Sequence, residues 1–296
     1  MNQVVIPQFI MLILGAGLFL MMLGVALEVR KADWLECLNH PTSLIITVCA
    51  QIIGVPLLAL LLVLALPISD ALKLGIIMIS LCPGGVVSNF FSLRAGGNPA
   101  LSSITTLISS SLVPFTLPLG LFVFTLIQPN IIMLEDTSAL QTISITTMLL
   151  IIPSLILGLF IRKWNTSLAN KLMQPLRAFS LGLIAIIIVF VLFNNRNILA
   201  EEIAVVFPMT FVFNALLLGF GFWLAKALRF PTHICRTISL ELGIQNIGVA
   251  LLTIPLLFPN SPTVLNIAAF WGMWHLIAGL AVSQYWKSKN AKNGGA

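Results

Sequence analysis

Glu241-Leu242-Gly243-Ile244-Gln245-Asn246 lies inside an apolar run, Ile234 to Leu257, that otherwise has the make-up of a membrane-spanning helix. A carboxylate is costly in that setting, and an ionisable group inside a membrane segment marks a functional site. Gly243 loosens the backbone beside it. Irregular backbone at membrane depth survives only where protein or a water-filled cavity satisfies it. Gln245 and Asn246 add two amides. The stretch reads as half of an ion and substrate site. The competing reading is a protonated glutamate, hydrogen-bonded within the core.

The rest of the chain supplies the membrane. Its 296 residues are 59% hydrophobic and 8% charged, with a mean hydropathy of +1.08. That balance excludes a soluble domain. The basic residues are scattered through short loops, so the net charge of +6 is no nucleic-acid signal. Cys37, Cys49, Cys82 and Cys235 lack CxxC spacing and read as free thiols. The run Val4–Leu27 has no basic residue before it and no small-residue cleavage site after it, so it is expected to span the membrane rather than to be a removable signal.

Nine hydrophobic segments are expected: Val4–Leu27, Ser43–Leu66, Ala71–Leu93, Pro99–Ile127, Ala139–Ile161, Ala178–Leu192, Ile203–Ala227, Ile234–Leu257 and Thr263–Tyr285. The fold class is therefore an all-α integral membrane protein. Connections are short, so 1–296 form one domain, with 287–296 as a cytoplasmic tail. Only Asn165–Pro175 is long enough to be an interfacial helix between spans. With the N-terminus outside, all but Lys73 and Arg196 of the 15 basic residues fall in inner loops, the arrangement that membrane insertion favours. Asp70, Glu135, Asp136, Glu201 and Glu202 then fall outside, Glu28, Asp33 and Glu36 inside. His40 and His233 fall in inner loops. Trp34, Trp164, Trp223, Tyr285 and Trp286 gather at the inner helix ends, as an interfacial belt does.

Two segments are interrupted. The third carries Cys82-Pro83-Gly84-Gly85; the eighth carries Leu242-Gly243 behind the glutamate. Proline removes a helical donor and paired glycines let the chain unwind. The third and the eighth are five places apart in order, an odd step, so they run in opposite directions. Paired interruptions in inverted halves, here roughly 1–130 and 131–290, point to a transporter's binding site. The shortfall of one helix in the first half is expected to be peripheral.

Polar side chains converge on one depth. At 1.5 Å per residue, Gln51, Asn89, Thr106 and Glu241 each sit about 8–12 Å from the inner end of their segment. Ser88 adjoins Asn89, and Ser102 shares a helix face with Thr106. Carboxylate, amide, hydroxyl and unwound carbonyl oxygens suit a small hard cation, not zinc or copper. Broken helices also present positive dipole ends, so one site can hold a cation and face an anion. Pro83 and Gly84, at the first break, are candidates for substrate contact. His275, beside Trp271 and Trp274, is read as lining a cavity.

These residues resemble a family. Cys82-Pro83-Gly84-Gly85-Val86-Val87-Ser88-Asn89 with Gly97-Asn98-Pro99-Ala100-Leu101-Ser102 is similar to one signature of the bile acid:sodium symporter family. Glu241-Leu242-Gly243-Ile244-Gln245-Asn246 resembles its second, and Trp274-His275 a third, shorter one. The resemblance implies a panel domain and a core domain, the latter crossed by two discontinuous helices, the third and the eighth. It implies a first sodium site of Ser88, Asn89, Ser102, Thr106 and Glu241. A second would use Gln51, Glu241, Gln245 and backbone carbonyls at Leu242 and Ile244. Asn246 and His275 match substrate-facing positions. Leu276 stands where the family often has asparagine, which removes a polar group from the implied cavity.

The expected function is sodium-coupled symport of a bile-acid-like or small carboxylate anion into the cell, by alternating access, in the inner membrane. Sodium is the coupling ion, and no cofactor is expected. An alternative is an efflux carrier, for example for arsenite, using Cys82. An intramembrane enzyme built on Glu241 and His275 is a further alternative, with no HExxH or GxSxG to support it.

Overall fold

Long apolar stretches in this chain fold as helices because a helix satisfies its own backbone polar groups, which lipid cannot do. The computed structural model describes residues 8–39, 41–132 and 138–293; His40, Glu135 and Asp136 lie outside them. In chain order the helices are α1 (Gln8–Glu28), α2 (Lys31–Asn39), α3 (Pro41–Cys49), α4 (Val55–Ala65), α5 (Asp70–Ser80), α6 (Val87–Arg94) and α7 (Pro99–Ile127). They continue as α8 (Ser138–Trp164), α9 (Thr166–Asn194), α10 (Arg196–Ala227), α11 (Thr232–Gly243), α12 (Ile247–Leu257) and α13 (Pro262–Asn293). Among the described residues, seven continuous apolar helices are long enough to cross a bilayer, counting Pro41–Ala65 as one. The third and eighth sequence segments are instead each divided into a pair, α5/α6 and α11/α12. Large apolar side chains such as Leu57, Phe115, Leu119, Leu149 and Ile186 face outward, as lipid requires.

Asn98 and Asn165 start α7 and α9 by accepting the N–H of Leu101 at 2.8 Å and of Leu168 at 2.9 Å. The expected interfacial helix Asn165–Pro175 does not exist as a separate element. α9 runs unbroken through Pro175. The carbonyl that proline cannot serve belongs to Lys171, which is exposed and can be solvated. Conversely, α2 was not expected: it is short and polar. Asp33 accepts the Arg30 N–H at its entry, 2.7 Å away.

Between α3 and α4 the chain makes one π turn, Ala50–Gly54, just ahead of Pro56. The Val55 N–H reaches back to Ala50 O. Such turns recur where a helix is bent to serve a site, and this one carries Gln51.

The two interruptions lie against each other. Gly85 N donates to Ile244 O at 2.7 Å and Asn246 N to Pro83 O at 2.8 Å, an antiparallel bridge between Gly84 and Gln245. Each break thereby supplies partners for backbone groups the other left free. A Cβ on Gly85 would sit 2.8 Å from Gln245 O, so this approach requires glycine. α6 lies beside α11 and α5 beside α12. α13 packs across both pairs, while α1, α8 and α9 pack mainly on one another. At one end, Arg236 donates to Ala95 O at 2.7 Å and to Asn290 Oδ1 at 2.9 Å, and Arg94 to Gln284 Oε1 at 2.5 Å. These bonds tie α6, α11 and α13 together.

Candidate functional site

Glu241 sits on the last turn of α11 and is completely buried. Three hydroxyls from two other helices converge on it. Ser88 Oγ on α6 donates to Oε2 at 2.6 Å, Ser102 Oγ on α7 lies 2.6 Å from the same oxygen, and Thr106 Oγ1 on α7 donates to Oε1 at 2.5 Å. Asn89 Oδ1 lies 2.7 Å from Ser102 Oγ. Ser88, Asn89, Ser102, Thr106 and Glu241 are thus one contiguous cluster.

The cluster is rich in acceptors and short of protons. Ser102 has one hydroxyl hydrogen, yet both Glu241 Oε2 and Asn89 Oδ1 stand within bonding distance of it. Among the described residues, the one ion pair joins Arg177 to Glu28, so no side-chain cation balances Glu241. A buried carboxylate without a counter-charge costs several kcal/mol. A small cation held by these oxygens would supply both the charge and the missing donor function. The donor set therefore fits sodium.

Gln51 and Gln245 form a second, adjoining group. Gln51 Nε2 donates to Gln245 Oε1 at 2.9 Å and to Cys82 O at 3.0 Å, and Gln245 Nε2 donates to Leu242 O at 2.7 Å. Gln51 Oε1 is buried without a partner, an acceptor free for a cation. Glu241 makes no hydrogen bond with either glutamine; its bonds go to the hydroxyl cluster. Ile244 O accepts from Gly85 N as Leu242 O does from Gln245 Nε2, and each carbonyl keeps a second lone pair.

Beside these groups lies a cavity of about 720 Å³, bounded by α1 and α9 on one side and by both breaks and α13 on the other. Asn246 and His275 are in its wall. Both polar side-chain atoms of Asn246 are buried without partners. His275 Nδ1–H donates to Trp271 O at 2.8 Å, which leaves Nε2 as an acceptor. α6 and α12 both begin at this wall, through Val86–Val87 and Asn246–Ile247. Two positive helix ends thus open onto one space.

Pro83 and Gly84 are not in that wall. Pro83 O is occupied by Asn246 N, and Gly84 packs directly over the Glu241 carboxylate, where a Cβ would overlap Oε1. Their neighbours Gly85 and Val86 line the cavity instead. Both residues are buried, with their backbone held in the bridge to the second break.

Three polar contributors escaped the sequence reading. Arg177 and Glu28, read as inner-loop charges, meet at 3.7 Å, and Asn89 Nδ2 donates to Glu28 Oε2 at 3.0 Å. No local pattern announces a pair that far apart in sequence. Asn214 is buried mid-α10 and donates to Gly243 O at 2.7 Å, satisfying the end of α11. A lone amide in an apolar run was a usable signal for it.

Comparison with known proteins places the chain in a family. Residues 16–202 match the family model described as "Sodium Bile acid symporter family". The chain is 30% identical over 289 residues to "Uncharacterized sodium-dependent transporter YocS" of Bacillus subtilis (strain 168), covering 97% of this chain and 85% of that one. It is 28% identical to the human "Sodium/bile acid cotransporter 4" over 83% of this chain, though this spans only 56% of the human protein. It is 27% identical to the bovine "Sodium-dependent organic anion transporter" over 89% of this chain and 69% of the relative. Seven long apolar helices, two paired breaks and this family match lead to one conclusion. The chain belongs to the sodium bile acid symporter family: it is a multi-pass, sodium-dependent membrane transporter, and not an enzyme.

Proposed function

We propose that the protein carries a small organic anion into the cell together with sodium ions, by alternating access. The observation that carries this reading is the cavity onto which two helix N-termini open, with a buried, oxygen-lined carboxylate immediately behind them. An anion favours the first and a sodium ion the second.

In this reading the chain crosses the membrane nine times, with α5/α6 and α11/α12 as discontinuous helices that cross in two inverted halves, roughly 1–130 and 131–290. α1, α8 and α9 form the panel, and the remaining spans form the core. The N-terminus is outside, 287–296 form a cytoplasmic tail, and the host membrane is the inner membrane. Ser88, Asn89, Ser102, Thr106 and Glu241 hold one sodium ion. Gln51, Glu241, Gln245 and the backbone carbonyls of Leu242 and Ile244 hold a second. Asn246 and His275 face the substrate. Rocking of panel against core changes which side the cavity faces.

Two sodium ions with one monoanion move one net charge inward. The membrane potential then contributes about 2.3 kcal/mol per 100 mV. Each tenfold sodium gradient adds about 1.4 kcal/mol per ion. Cys82, on which an efflux carrier would depend, donates its thiol hydrogen to Met78 O at 3.3 Å and is absent from the cavity wall.

The test is uptake into vesicles of stated orientation, with taurocholate and a set of small carboxylates, under sodium or potassium gradients. Sodium-driven accumulation that Glu241→Ala abolishes in a folded protein is expected. Accumulation that proceeds equally in potassium would overturn the reading.

A further inference from the structure

Among the residues lining the cavity, Arg177 is the one lysine or arginine. It does not reach Glu28 with a hydrogen bond: the two stand 3.7 Å apart, and their side chains are 22% and 23% exposed. Its Nη2 donates to Val86 O at 3.1 Å, which fixes the guanidinium at the start of α6. The other oxygen of Glu28 accepts from Asn89 Nδ2 at 3.0 Å; Asn89 Oδ1 meets Ser102 Oγ at 2.7 Å; and Ser102 Oγ meets Glu241 at 2.6 Å. An unbroken series of polar contacts therefore runs from the cavity wall to the buried carboxylate.

We propose that Arg177 receives the negative charge of the substrate, and that Glu28 is its internal counter-charge, handed to the sodium cluster when the substrate arrives. This rests on the transport reading above. A loose, partly exposed ion pair is the kind an incoming carboxylate or sulfonate displaces, and the planar guanidinium suits either group. With the anion on Arg177, Glu28 and Glu241 become two carboxylates facing two sodium ions. Without it, Arg177 neutralises Glu28, and the site holds one carboxylate for two cations. Anion and sodium thus bind more tightly together than apart, a coupling that is reciprocal. Apart from Gln174, Gln245, Asn246 and His275, the rest of the wall, including Met21, Phe90, Leu181, Ile184 and Ile188, is apolar. The substrate class is a monoanion with one charged end and an apolar body.

The first arm of the test needs no substrate. Purified protein is titrated with sodium against potassium at constant ionic strength, and the melting temperature is read. Arg177→Gln should bind sodium about tenfold more tightly and Glu28→Gln about tenfold more weakly, the scale for one unit charge at roughly 10 Å in an effective dielectric of about 20. Arg177→Lys keeps the charge and should keep the wild-type sodium constant, which separates charge from folding. Glu28→Gln retains an oxygen for Asn89 Nδ2. In the second arm, cholate and its uncharged methyl ester are compared in sodium. Cholate alone should stabilise the wild type, and Arg177→Gln should not distinguish the two. Unchanged sodium constants in both glutamine variants, or equal wild-type responses to acid and ester, would overturn the proposal and leave the transport reading standing. A wild-type protein whose melting temperature ignores sodium would remove the transport reading, and this proposal with it.

Discussion

Gln51 Nε2 lies 2.9 Å from Gln245 Oε1, a bond between residues 194 positions apart. It joins the π turn of one span to the unwound centre of another, and it leaves Gln51 Oε1 without a partner. Two amides so placed act as a unit. Gln51→Ala and Gln245→Ala should each weaken sodium binding, and the double variant should be little worse than either. The non-additivity is expected to fall at about 0.5–3 kcal/mol, the range for contacting residues. A double-mutant cycle on sodium titrations measures it; simple additivity would place the two glutamines in separate roles.

Ser102 and Thr106 share a helix face but not a workload. Ser102 Oγ touches Glu241, Asn89 and Ser88, whereas Thr106 Oγ1 touches Glu241 alone. Ser102→Ala should therefore lower sodium affinity by about 10–100-fold, the usual cost of losing a group that orients a metal site. Thr106→Val should cost less. Sodium-activation curves of uptake for the two variants decide the order.

Gly84 lies over the Glu241 carboxylate with no room for a Cβ. Gly84→Ala should push α11 from the first break, at a stability cost of about 1–3 kcal/mol for the added bulk. Sodium response should fall with it. Gly182→Ala, in mid-α9 with open space for a Cβ, should keep the sodium response with a melting temperature at or above wild type, since alanine favours a helix over glycine, and serves as the control.

Cys82 is buried, with its Sγ bonded to Met78 O at 3.3 Å. Cys82→Ser preserves a donor of similar size, so sodium-dependent uptake should stay within about twofold of wild type, because a conserved bond leaves little free-energy difference. Loss of transport in this variant, with sodium binding intact, would revive a thiolate-based carrier.

The membrane class, the apolar segments and the two interruptions were all legible along the chain. Hydropathy and helix punctuation act over roughly one span, so Pro83, Gly84, Gly85 and Gly243 announce their breaks without a partner in view. Glu241 announced itself in the same way, because an acid inside an apolar run has no cheap local solution. Hidden from that reading were the cases where a distant neighbour or the solvent decides. Pro175 looked like a boundary, yet α9 continues past it because water can serve the carbonyl left over. Pro83 and Gly84 looked exposed to substrate, yet both are buried, held against Asn246 and Glu241.

Arg177 and Glu28 mark the limit most clearly. Each was visible as a charge near the end of an apolar run, with nothing in its own neighbourhood to set it apart from a dozen loop charges. Their meeting, and the line of contacts through Asn89 and Ser102 to Glu241, exists because α1, α6, α7, α9 and α11 pack together at one level. Burial and helical period are properties of a segment, readable one residue after another; which charge faces which depends on how the segments pack, and that geometry arises only when the helices assemble.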